Sequence, residues 1–458
     1  MRGCALLLCI LAAWGSPNVD ETRAAISAAK ASILALYGED VTAVHFSPPD
    51  FYDAAARDHI VERMLRAFVL GDSFVVAVGG MSDVAGHGNM FEESYPIVCR
   101  DALAPVFAAA GIRFNLRNMA MGGVPSYPSS VCMEDNFGAD VDLVVWDFRM
   151  VERDEVKGEL YLRQAMMMPK APSVMFKRKN GYLKSLGYAY DMASLHVVDE
   201  MDSYNRVKAL KSPGVIGDKF CEGVCECPGQ VRWHSGWKLQ RFRGLHMAWV
   251  YLDMLRDAVK KYEQMQGVLP PAGDKQWAIE PRTGADMPPP VSKQCHAAFC
   301  SRAFKCGLTW SPTVGRRLVD LVDPQLGLNG WQVRHPSKRI AELSKNGHGK
   351  CHYQDEKQSL VGDASSHWIF FNLPGVAAQG TIAFCGDFKS SSFTDYALIV
   401  VNQEEVMDKL EPWLESKTLG ISSSCFATSH NVVPGDNIIG FRVTSGDLAL
   451  SLTHVIWT

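Results

Sequence analysis

The chain has 458 residues, 47% of them apolar and 21% charged, which is enough for two or three domains with sizeable cores. Its 46 basic and 50 acidic residues leave a net charge of −4, so nothing suggests a nucleic-acid partner, which would need concentrated Lys and Arg against phosphates. No apolar run of 18 residues follows the N-terminal stretch, so a transmembrane helix is not expected.

The first residues, "MRGCALLLCILAAWGSPN", read as a signal peptide over residues 1–15. Arg2 supplies the positive start and Cys4 to Ala13 a short apolar stretch. Ala13 and Gly15 are small residues at cleavage spacing. The expected destination is the secretory lumen or the exterior, where disulfides form. Of 13 cysteines, Cys4 and Cys9 would leave with the leader, and the remainder is odd. Cys221, Cys225 and Cys227 are close together, but they have no matching second pair, so disulfides are expected there rather than a metal knuckle. The chain has no Asn-x-Ser/Thr sequon.

Residues 20–70 carry helical patterns: "DETRAAISAAKASILALYG" has an acidic start and a glycine stop, and "PDFYDAAARDHIVERMLRAFVLG" repeats the scheme. "FVVAV" (74–78) reads as a buried strand. "YPIVCRDALAPVFAAAG" reads as a helix with a break allowed at Pro105. "IRFNLRNMA", "VDLVVWD" and "APSVMFK" read as strands, "YLRQAMMM" as a helix, and Ser235 to about Met265 as a long helix. Strands alternating with helices predict an α/β domain with a parallel sheet over residues 16–266. The basic run in "MFKRKNGYLK" (Lys177, Arg178, Lys179) reads as a solvated face. Residues 267–290 are rich in Pro and Gly and read as a linker. From 291 to 458 short apolar or alternating runs ("SHWIFFNL", "GTIAFCG", "DYALIVVN", "DNIIGFRV", "LALSLTHVIWT") are separated by turn residues, the pattern of a β-sandwich or jelly roll.

The stretch "GDSFVVAVGGMSDVAGHGN" (71–89) offers two candidate nucleophiles. Chemistry in parallel sheets gathers beyond the carboxyl ends of strands, in the turn before the next helix. Ser73 precedes the strand "FVVAV", with Gly71 and Asp72 explained as a helix stop and a turn. Ser82 follows the strand, after Gly79 and Gly80, so Ser82 is preferred. The plainer role for Ser82 is a helix cap.

At these residues the chain resembles the SGNH, or GDSL-type, hydrolase superfamily, in a subgroup of algae and protists with a Gly-His-x-Asn and Ser-Tyr-Pro continuation. Gly80, Ser82 and Gly86 follow the first block, with Met81 where the family has Asp. "RNMAMGG" follows the second block, with Asn118 and either Gly122 or Gly123 as the oxyanion glycine, Gly122 preferred. In "VVWDFRMVE" the third block's Asn is absent, and Arg149 is a substitute donor. "VRWHSGWKLQRFRG" follows the last block at His234, with Val231 where the family has Asp. The resemblance spans roughly residues 70–260 and implies a three-layer α/β/α fold. It also implies a Ser82–His234 nucleophile–base pair, an oxyanion hole from Ser82, Gly122 and Gly123, and no metal or organic cofactor. The triad acid would be Asp218, Glu222 or Glu226, or a backbone carbonyl would serve in a dyad. His87 is a second candidate base but reads better as a buttress of its loop, and Asp83 as a helix cap.

The expected function is a secreted ester hydrolase working through an acyl-enzyme, with an acetylated glycan suggested by the appended β-sandwich. The rivals are a non-catalytic glycan-binding module and an O-acyltransferase using the same pair.

Overall fold

The computed structural model of the chain describes residues 18–46, 54–127, 129–148, 152, 155–177, 195–197, 234–265, 283–292, 302–334, 356–386, 393–418, 421–445 and 448–458. The first helices are α1 (Val19–Tyr37), α2 (Glu39–His45) and α3 (Ala54–Leu70). Gly38 separates α1 from α2 at φ +79, a backbone setting that suits glycine. Strand β1 (Ser73–Gly80) leads through the short helix α4 (Ser82–Ala85) to α5 (Tyr95–Ala109), which runs on through Pro105 without a break. Then come β2 (Arg113–Asn118), α6 (Met133–Phe137), β3 (Leu143–Asp147), α7 (Glu155–Met166), β4 (Ser173–Phe176), β5 (Leu195–Val197) and the long α8 (Trp237–Gln264).

The five strands form a parallel sheet in the order β2-β1-β3-β4-β5. Side chains alternate across it. Phe74, Val76 and Val78 of β1, with Leu143 and Val145 of β3, join a core under α1, α3, α5 and α8. Val75, Ala77, Val144 and Trp146 join a second core against α6 and α7. That makes three layers, with both faces of β1 buried, as its unbroken apolar run anticipates. The order turns back between β1 and β3, and a crevice opens at such a switch point beyond the carboxyl ends of the strands.

The second half is all β. A seven-stranded sheet carries β6 (Lys305–Leu308), β8 (Gln332–Arg334), β10 (Ser359–Asp363), β12 (Ile382–Gly386), β15 (Glu411–Thr418), β16 (Ile421–Thr428) and β18 (Ala449–Trp457). A four-stranded sheet carries β11 (Ile369–Val376), β13 (Ala397–Val401), β14 (Glu404–Glu405) and β17 (Gly435–Val443). A short ribbon pairs β7 (Trp310–Ser311) with β9 (Glu356–Lys357). The strand pairs here are antiparallel, and the two larger sheets share one core, including Phe371, Phe384, Phe441, Val455 and Trp457. In β13 burial alternates residue by residue, the period of a strand with one covered face. The fold is therefore an α/β/α parallel-sheet domain followed by a β-sandwich.

The two halves are joined by more than the chain between them. A disulfide links Cys132, just before α6, to Cys306 in β6. Cys385 and Cys425 pair across β12 and β16, and the Tyr127 hydroxyl from the α/β half lies against both of their sulfurs. Asp135 accepts from the Cys306 N–H at 2.7 Å. The Pro-rich stretch ends docked on α7: Glu159 accepts the N–H groups of Val291 and Ser292 at 2.7 and 2.8 Å. Cys99 is a free, buried thiol whose pKa burial pushes up. No helix among the described residues is long and apolar enough to cross a membrane.

Candidate active site

The turn after β1 is tight because nothing stands in its way. A Cβ on Gly80 would lie 2.5 Å from a methyl of Val84, so only glycine lets α4 fold back over the strand end. Met81 is fully buried, which explains an apolar residue beside the serine. Ser82 then opens α4 and is 5% exposed. Ser73 lies at the opposite edge, as the first residue of β1, beside a small cavity also lined by Arg63, Asp72, Asp142 and Lys170.

His234 comes from the segment just ahead of α8. Its Nε2 lies 2.9 Å from Ser82 Oγ, and the ring is 2% exposed. These groups are 152 residues apart in the chain, and the contact is held from both sides of the histidine's neighbour. The Ser235 N–H donates to Asp83 Oδ1 at 2.8 Å, and the Ser235 carbonyl accepts from Asn89 Nδ2 at 2.8 Å. Gln240 on α8 adds a bond from Nε2 to the Asp83 carbonyl at 2.7 Å. Asp83, expected as a helix cap, instead fastens the histidine segment to the serine helix.

Asp83 also pairs with Arg243 of α8 at 2.5 Å, and Arg243 reaches Asp147, the last residue of β3, at 2.9 Å. Asp147 accepts from Tyr95 Oη at 3.0 Å, with Lys177 Nζ 3.8 Å away. Lys177 Nζ and the Arg243 guanidinium both lie over the Tyr95 ring, at 3.7 and 4.4 Å from its centroid. Lys177 is 1% exposed, so the solvated-face reading fails for it: its ammonium is compensated by a buried carboxylate and an aromatic ring. Arg178 and Lys179 lie outside the described residues. Asp83, Arg243, Asp147 and Lys177 thus form a buried ionic cluster beneath the serine turn.

Residues 119–123 form the facing loop. Met119 and Met121 donate their N–H groups to the carbonyls of Val78 and Gly80, both at 2.9 Å, extending the β1–β2 ladder past the strands. Asn118 ties that loop to the serine turn. Its Nδ2 donates to the Val84 carbonyl at 3.0 Å, and its Oδ1 accepts from Ala120 N–H at 3.2 Å. A Cβ on Gly122 would sit 2.3 Å from His87 Cε1, so the imidazole of His87 packs directly against this backbone. The His87 and His234 rings meet edge to face with centroids 5.7 Å apart. Gly123 has φ +67.

The geometry thus brings together Ser82, His234, Asp83, His87, Asn118, Gly122 and Gly123. Arg149, Asp218, Glu222, Glu226 and Val231 lie outside the described residues. The sequence reading missed Asn89, Tyr95, Asp147, Gln240 and Arg243. A signal existed for two of them: Gln240 and Arg243 fall on the same helical stripe as Leu239, Phe242, Met247 and Val250, where a polar side chain needs a buried partner. Among the described residues no group of three or more His, Cys, Asp or Glu converges as a metal site.

No family model matches the chain, and no curated protein matches it. Among solved structures it is similar to a two-domain esterase (CEX) active on acetylated mannans. The identity is 15% and the TM-score 0.42, covering 87% of this chain and 94% of that one. The same esterase co-crystallised with mannopentaose gives 16% identity and a TM-score of 0.41, with the same coverage. At that distance the chemistry assigned to this chain rests on its own residues.

Proposed function

We propose that the chain is an exported ester hydrolase in which Ser82 is the nucleophile and His234 the base. One observation carries this reading: a buried serine hydroxyl and an imidazole nitrogen 2.9 Å apart at the carboxyl edge of a parallel sheet. A serine hydroxyl is a weak nucleophile until a base takes its proton. For His234 to do so, Nε2 must be the unprotonated nitrogen, and the neutral ring then carries its hydrogen on Nδ1. Asp218, Glu222, Glu226 or a backbone carbonyl is the assigned acceptor for that hydrogen.

In the first half-reaction Ser82 Oγ bonds to the ester carbonyl carbon as its proton passes to His234 Nε2. The oxyanion is held by the N–H groups of Ser82 and of Gly122 or Gly123; one such donor is worth about 3–4 kcal/mol. The imidazolium then protonates the leaving alcohol, the C–O bond breaks, and an acyl-serine remains. A water oxygen then bonds to the acyl carbon as His234 takes a proton from it; the bond to Ser82 Oγ breaks, His234 returns the proton to that oxygen, and the carboxylic acid departs. Asp83 positions the base rather than joining the proton path, because its oxygens face Ser235 N–H and Arg243. The proposed substrate is an O-acetylated glycan, supported by a β-sandwich packed against the hydrolase half.

The test is turnover of p-nitrophenyl acetate and acetate release from acetylated polysaccharides. Ser82→Ala and His234→Ala should each lose about a thousandfold or more in kcat. Wild-type turnover by Ser82→Ala would end the reading; p-nitrophenyl acetate turnover without acetate release from any glycan would end the substrate assignment.

A further inference from the structure

The loop assigned to the oxyanion hole is gripped from outside its own domain. The ribbon of β7 and β9 belongs to the β half, and its register sets Trp310 opposite Lys357. Lys357 Nζ donates to the carbonyl oxygen of Gly122. Trp310, 4% exposed, packs with Met121 and Val124 on either side of the two glycines. The ribbon is itself seated on β18: Thr309 N–H donates to the Thr453 carbonyl at 2.9 Å, and the Trp310 ring meets His454 edge to face at 4.8 Å. On the opposite side of the loop lies the His87 ring.

The need for such a grip follows from the residues in the loop. Gly122 and Gly123 lack the side chains that would restrict their peptide planes, so that stretch of backbone has several orientations open to it. A trans peptide is planar, with its C=O and N–H pointing opposite ways. Holding the Gly122 carbonyl toward the β half therefore turns the Gly123 N–H away from it and fixes that plane. A donor that stabilises an oxyanion must already be aimed when charge develops, since reorienting it at that moment cancels its benefit.

We infer that Lys357 is a positioning residue of the catalytic centre, and that the β7–β9 ribbon, through Lys357 and Trp310, sets the oxyanion loop. The β half is then a working part of the hydrolase and not a detachable binding module. This rests on Ser82 being the nucleophile, as proposed above.

The test compares full-length wild type, Lys357→Met and Lys357→Arg on p-nitrophenyl acetate, with Ser82→Ala alongside and a thermal melt for each. Met keeps the aliphatic stem and removes the donor; Arg keeps a donor. Lys357→Met should lose about 10- to 100-fold in kcat, the scale of a misplaced catalytic group, with KM and melting temperature little changed. Lys357→Arg should recover part of the loss. Should the Met variant not fold, Lys357→Ala gives the same readout. Wild-type kcat in the folded Met variant would overturn the inference while an inactive Ser82→Ala leaves the hydrolase standing. A rise in KM alone, or no recovery with Arg, would also overturn it. An active Ser82→Ala would remove the reading on which the inference rests.

Discussion

Replacing Arg243 by Met is the most informative single change, because the guanidinium holds two carboxylates at once. The side chains of Arg243, Asp83, Asp147 and Lys177 are 2, 4, 0 and 0% exposed. Removing the arginine strips Asp83 and Asp147 of the guanidinium they share, away from water. Breaking a buried ion pair from one side costs about 3–5 kcal/mol. Arg243→Met should therefore lose stability on that scale at pH 7. Adding Asp83→Asn removes one of the two stranded carboxylates, so the double variant should be more stable than Arg243→Met at pH 7. Urea unfolding measures this, and kcat should fall about tenfold or more as the Ser235 anchor loosens. A loss under about 1 kcal/mol, or a double variant no more stable than Arg243→Met, would refute the account of the guanidinium as the shared partner of two buried carboxylates.

Two further outcomes follow from particular contacts. Gly122→Ala drives a methyl into His87 Cε1 at 2.3 Å, so kcat should drop about a hundredfold, and His87→Ala in the same chain should restore most of it. Burial depresses the pKa of His454 from 6.5 to about 3. The unfolded chain then binds the proton first, so stability is complete above about pH 6.5 and declines as pH falls toward 3, by about 1.4 kcal/mol per unit from this group. His454→Gln should flatten the melting temperature between pH 6.5 and pH 4; an unchanged slope would show that other groups set it.

Much of the architecture was legible because it is written in local pattern. β1 is buried on both faces, so "FVVAV" stands out without any partner being known. The choice of Ser82 over Ser73 needed only the direction of that strand. His234 is picked out by its likeness to a family block just ahead of a helix, and its ring lies 2.9 Å from the Ser82 hydroxyl. What stayed hidden depends on pairing across long sequence gaps. Arg243 and Asp147 are 96 residues apart, and Lys357 and Gly122 are 235 apart. A lysine flanked by Arg178 and Lys179 looks solvated until its partner across the sheet is known. The five residues of α6 are too few to show a period. Composition marked the Pro-rich stretch as a connection, and nothing in it foretold that Glu159 would capture the backbone at Val291 and Ser292.

The bond between Cys132 and Cys306 spans the whole Pro-rich stretch. A proteolytic nick between residues 265 and 283 would cut the polypeptide into two pieces that travel together, one band until a reductant separates them. A protein so tied can lose the continuity of its chain and still keep the loop, the ribbon and the serine at one address.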